Sequence, residues 1–158
     1  MNWFKYLGHI LTKDFKDDDD IMKEVRNLYS RGNTIIKQFK YVDEEVKLVM
    51  FKCFCYPIYC SSLWNNYRIS SMSRLRVGYN NIFRRLMGIK HWNMDLERVE
   101  SMSRIYEEKG VKSFPELYKY SSLSCMNRIL NSGNILLQTL LASDAHIYSR
   151  QWAHWESL

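Results

Sequence analysis

Glycine and proline are scarce in this chain, six and two residues among 158. That excludes collagen-like and low-complexity architectures and leaves few points at which a helix must break. Cysteine is scarce as well. Cys53, Cys55, Cys60 and Cys125 are too few for a disulfide scaffold, they lack the paired C-x-x-C spacing of a zinc site, and three of them share one apolar helical pattern. Free intracellular thiols are expected. The longest apolar stretch, 48–60, is 13 residues with Lys52 inside it, whereas a bilayer span needs about 20. No membrane partner is expected. Segment 3–11 is interrupted by Lys5, Gly8 and His9 and shows no small-residue cleavage pattern, so a signal peptide is not expected and the protein should be intracellular, in cytoplasm and/or nucleus. Also missing are a Walker loop, a dinucleotide fingerprint, an H-E-x-x-H pair and any nucleophile motif around Ser, Cys or Lys. The sequence contains no self-sufficient active site, and neither a metal nor a cofactor is expected.

Acid is the absence that says most. From Val46 to Met94 there is no Asp or Glu, while Lys47, Lys52, Arg68, Arg74, Arg76, Arg84, Arg85 and Lys90 are all positive. Residues 1–90 hold 16 Lys and Arg against 9 Asp and Glu; residues 91–158 hold 7 against 8. A solvated face that binds nothing ordinarily mixes both signs. A one-sign stretch interleaved with Phe51, Phe54, Tyr56, Tyr59, Trp64, Tyr67, Tyr79, Phe83 and Trp92 suits a nucleic-acid strand, because phosphates seek cations and base faces seek rings. Most of those rings belong to apolar stripes and are expected in the core.

What is present, at 46% hydrophobic and 15% aromatic residues over about one domain's length, is a packed helical chain. The expected fold is all-α: a bundle of about six helices after a short N-terminal β-strand or hairpin remnant. Three parts are expected: a strand remnant at 1–14, a helical bundle at 15–90 and a C-terminal helical region at 91–158. Segment 3–12 reads as a strand or half a hairpin, and an unpartnered strand implies a missing neighbour. A helix over 17–40 gathers Ile21, Val25, Leu28, Ile35, Ile36 and Phe39 in one arc with Gly32 at its centre, where glycine would let another helix approach closely. Lys23, Arg26 and Lys37 share its opposite, solvent-facing side. A second helix from Asp43 is apolar all round and reads as the central core helix; Pro57 kinks or ends it, and a continuation over 58–67 would pack Trp64 inward. A third, from 71 or 73 to Met87 and stopped by Gly88, sets Leu75, Tyr79, Ile82 and Leu86 against Arg74, Asn81, Arg84 and Arg85. Further helices are expected at 94–109, capped by Asn93 and Gly110, at 114–131 behind a Ser113/Glu116 capping box with Pro115, and at 134–142.

Asp17, Asp18, Asp19 and Asp20 invite a metal reading, since two-metal nucleotidyl transfer needs paired carboxylates. Consecutive carboxylates at a helix start diverge around the axis, so capping and dipole matching is the expectation here.

An ordered set of segments runs Phe4-Lys5-Tyr6-Leu7-Gly8-His9-Ile10-Leu11, Asp20-Ile21, Leu28-Tyr29-x-x-Gly32-Asn33-Thr34, Phe39, Val46-Lys47-x-x-x-Phe51-Lys52, Leu63-Trp64 and Leu75-Arg76-Val77-x-Tyr79-Asn80-x-x-Phe83-Arg84-x-Leu86-x-Gly88. In order and spacing it resembles the part downstream of the catalytic motif in reverse transcriptases of LINE-type (non-LTR) retrotransposons. The likeness extends over about 3–92, and more loosely over 127–136. It implies that Tyr6, Leu7 and Gly8 end a palm as a primer-grip-like hairpin, and that helices 17–90 form a thumb over an RNA/DNA template–primer duplex. Arg68, Arg74, Arg76, Asn81, Arg84, Arg85 and Lys90, with Lys23, Arg26 and Lys37, would contact nucleic acid. The parent type is an RNA-directed DNA polymerase. This chain contains no aromatic-Ala-Asp-Asp element, and the aspartates at 17–20 do not replace it because they follow Tyr-Leu-Gly. The resemblance therefore implies a catalytically incomplete chain whose other partners are the fingers and palm of its parent. A helical protein-interaction module is the alternative, motivated by Trp152, Trp155 and the apolar segment 3–11.

Overall fold

A computed structural model describes residues 3–90, 92, 93, 98, 99, 101–143, 153, 154 and 157. It is mostly helical. A hairpin of β1 (Trp3–Tyr6) and β2 (His9–Thr12) turns at Leu7 and Gly8, both with positive φ, and pairs Trp3 with Thr12 through Tyr6 with His9. The strand expected to lack a neighbour thus finds one within the chain. Helix α1 (Asp18–Gln38) follows, then α2 (Glu44–Cys55), a single 3₁₀ turn at Ser61–Leu63, α3 (Ile69–Met87), a two-residue antiparallel pair of β3 (Trp92–Asn93) and β4 (Arg98–Val99), α4 (Met102–Glu108), α5 (Phe114–Leu130) and α6 (Ile135–Ala142).

The molecule is built around α1 and α3, which run parallel. Ile21, Val25, Leu28 and Ile35 face Leu75, Tyr79, Ile82 and Leu86, all buried. Gly32 is the close approach: a Cβ there would stand 2.5–2.9 Å from three side-chain carbons of Ile82, so only a bare Cα admits that residue. Gly78 meets Tyr29 in the same seam, where a Cβ would lie 3.2 Å from the ring. One cluster of rings then continues the core from Phe51 through Tyr79 and Phe83 to Tyr106 and Phe114, joining the acid-free part to α4 and α5. The Tyr79 hydroxyl donates to the Lys112 carbonyl at 2.7 Å and that of Tyr106 to Asn80 at 2.8 Å. Burial holds both phenols protonated by pushing them far above their ordinary range.

Several expectations are corrected. Helix α2 is not central: only Phe51 and Cys55 are buried, and Val46, Val49 and Phe54 stand exposed on its far side. Apolar character all round gives a helix no single inward face, and here one stripe sufficed. The helix ends at Cys55, ahead of Pro57, and 58–67 is not a continuation but an irregular segment with one 3₁₀ turn, although Trp64 is buried within it as expected. Among the described residues, the helix expected over 94–109 is found only at Met102–Glu108. Asn93 lies in β3 instead of capping it, while Gly110 ends it with φ +57. The capping box is in place: the Ser113 backbone and hydroxyl both donate to Glu116 at 2.7 Å, holding that carboxyl below its usual value. Trp152, Trp155 and His146 lie outside the described residues. No helix among the described residues is long and apolar enough to cross a membrane.

Candidate nucleic-acid interface

The aspartates at the start of α1 do diverge, but they do not cap their own helix. Each of three reaches a different distant element. Asp17 accepts the backbone N–H groups of Asn65 and Asn66 at 2.9 and 2.8 Å. Asp18 accepts the N–H of Arg68, the N-cap residue of α3, at 3.0 Å and the Ser71 hydroxyl at 2.5 Å, tying the start of α3 to α1. Asp20 is 1% exposed. It lies 2.9 Å from His9 Nδ1 and accepts from the Ile10 N–H at 3.0 Å, the Trp64 indole at 3.0 Å and the Lys23 ammonium at 2.5 Å. Burial pushes the Asp20 carboxyl up, but the Lys23, Trp64 and Ile10 donors outweigh it and leave it lowered; Asp18 is lowered likewise, by Ser71 and Arg68. Asp17 is the exception, raised because burial outweighs its two backbone donors. These carboxylates clamp hairpin, loop and α3 to α1.

Lys23 belongs to that clamp. Placed by the sequence on a solvent face, it is mostly buried and also donates to the Gly8 carbonyl at 2.6 Å. Gly8 and Leu7 are tied further, because the Tyr59 hydroxyl donates to the Leu7 carbonyl at 2.9 Å. The Tyr6 and Leu7 side chains themselves point into solvent.

The remaining cations divide by direction. On α3, Arg74, Asn81 and Arg85 form one row along the seam, at i, i+7 and i+11. Each touches the residue 52 positions earlier on α1: Arg74 meets Met22 Sδ at 3.9 Å, the Asn81 amide the Tyr29 hydroxyl at 3.5 Å, and Arg85 donates to Asn33 Oδ1 at 3.1 Å. That constant offset is what a parallel pair requires. On the same side of α1, Arg26 and Lys37 stand exposed, also 11 residues apart. By the same offset Arg26 stands level with position 78 and Lys37 with position 89, so the two parallel helices carry Arg26 and Lys37 beside Arg74 and Arg85 as a parallelogram, with long sides of about 17 Å staggered by about 6 Å at about 1.5 Å rise per residue, on axes about 8–10 Å apart. Among the described residues none of the four is ion-paired with a carboxylate.

Other expected members stand elsewhere. Arg76 lies about 160° around α3 from Arg74, at about 100° per residue, and faces away from the row. Arg84 turns to the chain leaving the helix and donates to the Lys90 carbonyl at 3.1 Å. Arg68 sits at the start of α3 beside Asp18, in a shallow depression with Lys13, Lys16 and Asp14. Lys47, counted in the acid-free stretch, and Lys40 are not among the residues expected to contact nucleic acid, yet they join Arg85 at a groove where the ends of α1 and α3 meet α2. Their shared position depends on three elements and left no local signal beyond the missing acids. Comparison with protein-family models, with curated proteins and with solved structures gives no match.

Proposed function

We propose that this chain is the template–primer-binding thumb region of a LINE-type reverse transcriptase, catalytically incomplete by itself, and that it grips the phosphate backbone of a duplex with the α1–α3 face. The observation supporting it is the staggered quartet of Arg26, Lys37, Arg74 and Arg85, set on a glycine-tight helix pair and free of carboxylate partners among the described residues. Its long edge equals about five base-pair rises of 3.4 Å, so the cations reach separated phosphates and read shape rather than sequence.

About four neutralised phosphates give a log–log slope of affinity on salt near −3 to −4, at roughly 0.7–0.9 per contact. Fluorescence anisotropy with RNA–DNA and DNA duplexes measures it. Arg74→Ala with Arg85→Ala should weaken binding and lower the slope by about 1.4–1.8. Unchanged affinity and slope remove this face from the binding surface. Nucleotide incorporation by the pure chain overturns the incomplete-polymerase reading.

One observation favours protein docking instead. Trp3, Phe4 and Tyr6 are all more than half exposed on β1, an edge strand, and such a strand is a template for a partner's backbone. Docking there would be nearly insensitive to salt, whereas phosphate binding weakens steeply.

A further inference from the structure

Where α1 and α3 end against α2, a groove of about 280 Å³ opens. Lys40 follows α1, Lys47 lies in the first turns of α2, and Arg85 lies in the last turn of α3. Three cations from three segments converge over a floor that includes Ile36, Phe39 and Met87, and no carboxylate among the described residues lines it. Glu44, on the adjoining turn of α2, is engaged by Lys109. Next to the groove-lining Lys40 in the chain, Tyr41 is 91% exposed, with the Lys40 ammonium 5.2 Å from its ring centroid. A ring held this far into water next to a cation is a stacking platform with its counter-charge already placed.

We propose that Tyr41 and the Lys40, Lys47 and Arg85 groove hold one unstacked nucleotide of a single-stranded extension, base on the ring and phosphate among the cations. The inference rests on the nucleic-acid reading above and deepens it. Arg85 belongs to both the duplex face and the groove, so a strand leaving the duplex would pass from one to the other without crossing a carboxylate among the groove-lining residues. Every base has a π-face, so the site takes any base.

The experiment compares the full chain's affinity for three duplexes: blunt, with a two-nucleotide single-stranded extension, and with the same extension made abasic. The expected result is tighter binding of the normal extension by about tenfold, as one stacked base provides. Tyr41→Ala should abolish that preference while leaving blunt-duplex affinity within about twofold, and Tyr41→Phe should retain it. Lys40→Ala with Lys47→Ala should weaken the extended duplex more than the blunt one. Equal binding of blunt and extended duplexes, a preference that survives Tyr41→Ala, or one equally strong for the abasic extension overturns the proposal while the duplex reading stands. Failure to bind any of the three overturns both.

Discussion

The two ends of α1 handle charge in opposite ways. At its start, three aspartates and Lys23 are drawn inward, and every one is spent on fixing a neighbouring element. From Arg26 onward the helix carries no acid at all, and Arg26 and Lys37 stand in solvent beside a second row on α3. Buried charge that is fully hydrogen-bonded serves architecture, because its removal strands donors that water cannot reach. Exposed charge of one sign, held on helices without carboxylate partners among the described residues, adds self-repulsion and little stability to the chain itself.

The largest expected effect breaks the architectural end. Asp20→Ala leaves the Trp64 indole, the Ile10 N–H and Lys23 without their shared acceptor, and should cost about 3–5 kcal/mol in urea unfolding. A loss under about 1 kcal/mol means that water satisfies those donors and the clamp is superficial. Acid should act in the same direction. Asp18 and Asp20 titrate below their ordinary value of 3.8, so the stability they contribute is complete above that value and is lost as pH falls through the depressed folded values. Asp17, raised by burial, has the opposite sign and offsets part of the loss. In Asp20→Asn the acid-induced decline should be shallower than in the parent chain, measured by thermal unfolding across that range.

Next in size is the seam that joins the two basic rows. Gly32→Ala gains about 1 kcal/mol of helix propensity, but its Cβ meets three carbons of a fully buried Ile82. Overpacking of that kind costs typically about 1–3 kcal/mol and spreads the helices. Net destabilisation is expected, with duplex affinity falling as the rows separate. Ile82→Val in the same chain should return part of both, and an additive double mutant would show that the two residues do not share the strain.

How much of this was legible follows from range. The arc of α1, the stop of α3 at Gly88 and the Ser113 capping box are local patterns with fixed spacings, and the chain displays them directly. The close approach at Gly32 was legible for a related reason: a glycine in the middle of an apolar arc has few other uses. Asp18 meeting Ser71, 53 residues away, has no periodic signature. Nor did the swap of a helix for the β3–β4 pair, since a two-residue ladder is shorter than any alternation that could reveal it. The interface lies between these limits. Arg26 to Lys37 and Arg74 to Arg85 repeat the same 11-residue interval in the sequence; only the parallel packing of α1 on α3 turns two intervals into one surface.

The smallest expected effect is the one that tests that surface most sharply. Arg76 sits two residues from Arg74, carries the same charge and is likewise exposed, yet projects from the other flank of α3. If net charge alone drew the chain to a polyanion, Arg76→Ala and Arg74→Ala would lower affinity and salt slope alike. If phosphates are held at the staggered quartet, Arg74→Ala should reduce the slope by about 0.7–0.9 and Arg76→Ala by close to none. Neither change should shift stability by more than about 0.5 kcal/mol, since both side chains stand on the surface and neither is ion-paired among the described residues. The pair of variants thus separates position from charge at constant composition, and equal slopes would reduce the interface to a diffuse field.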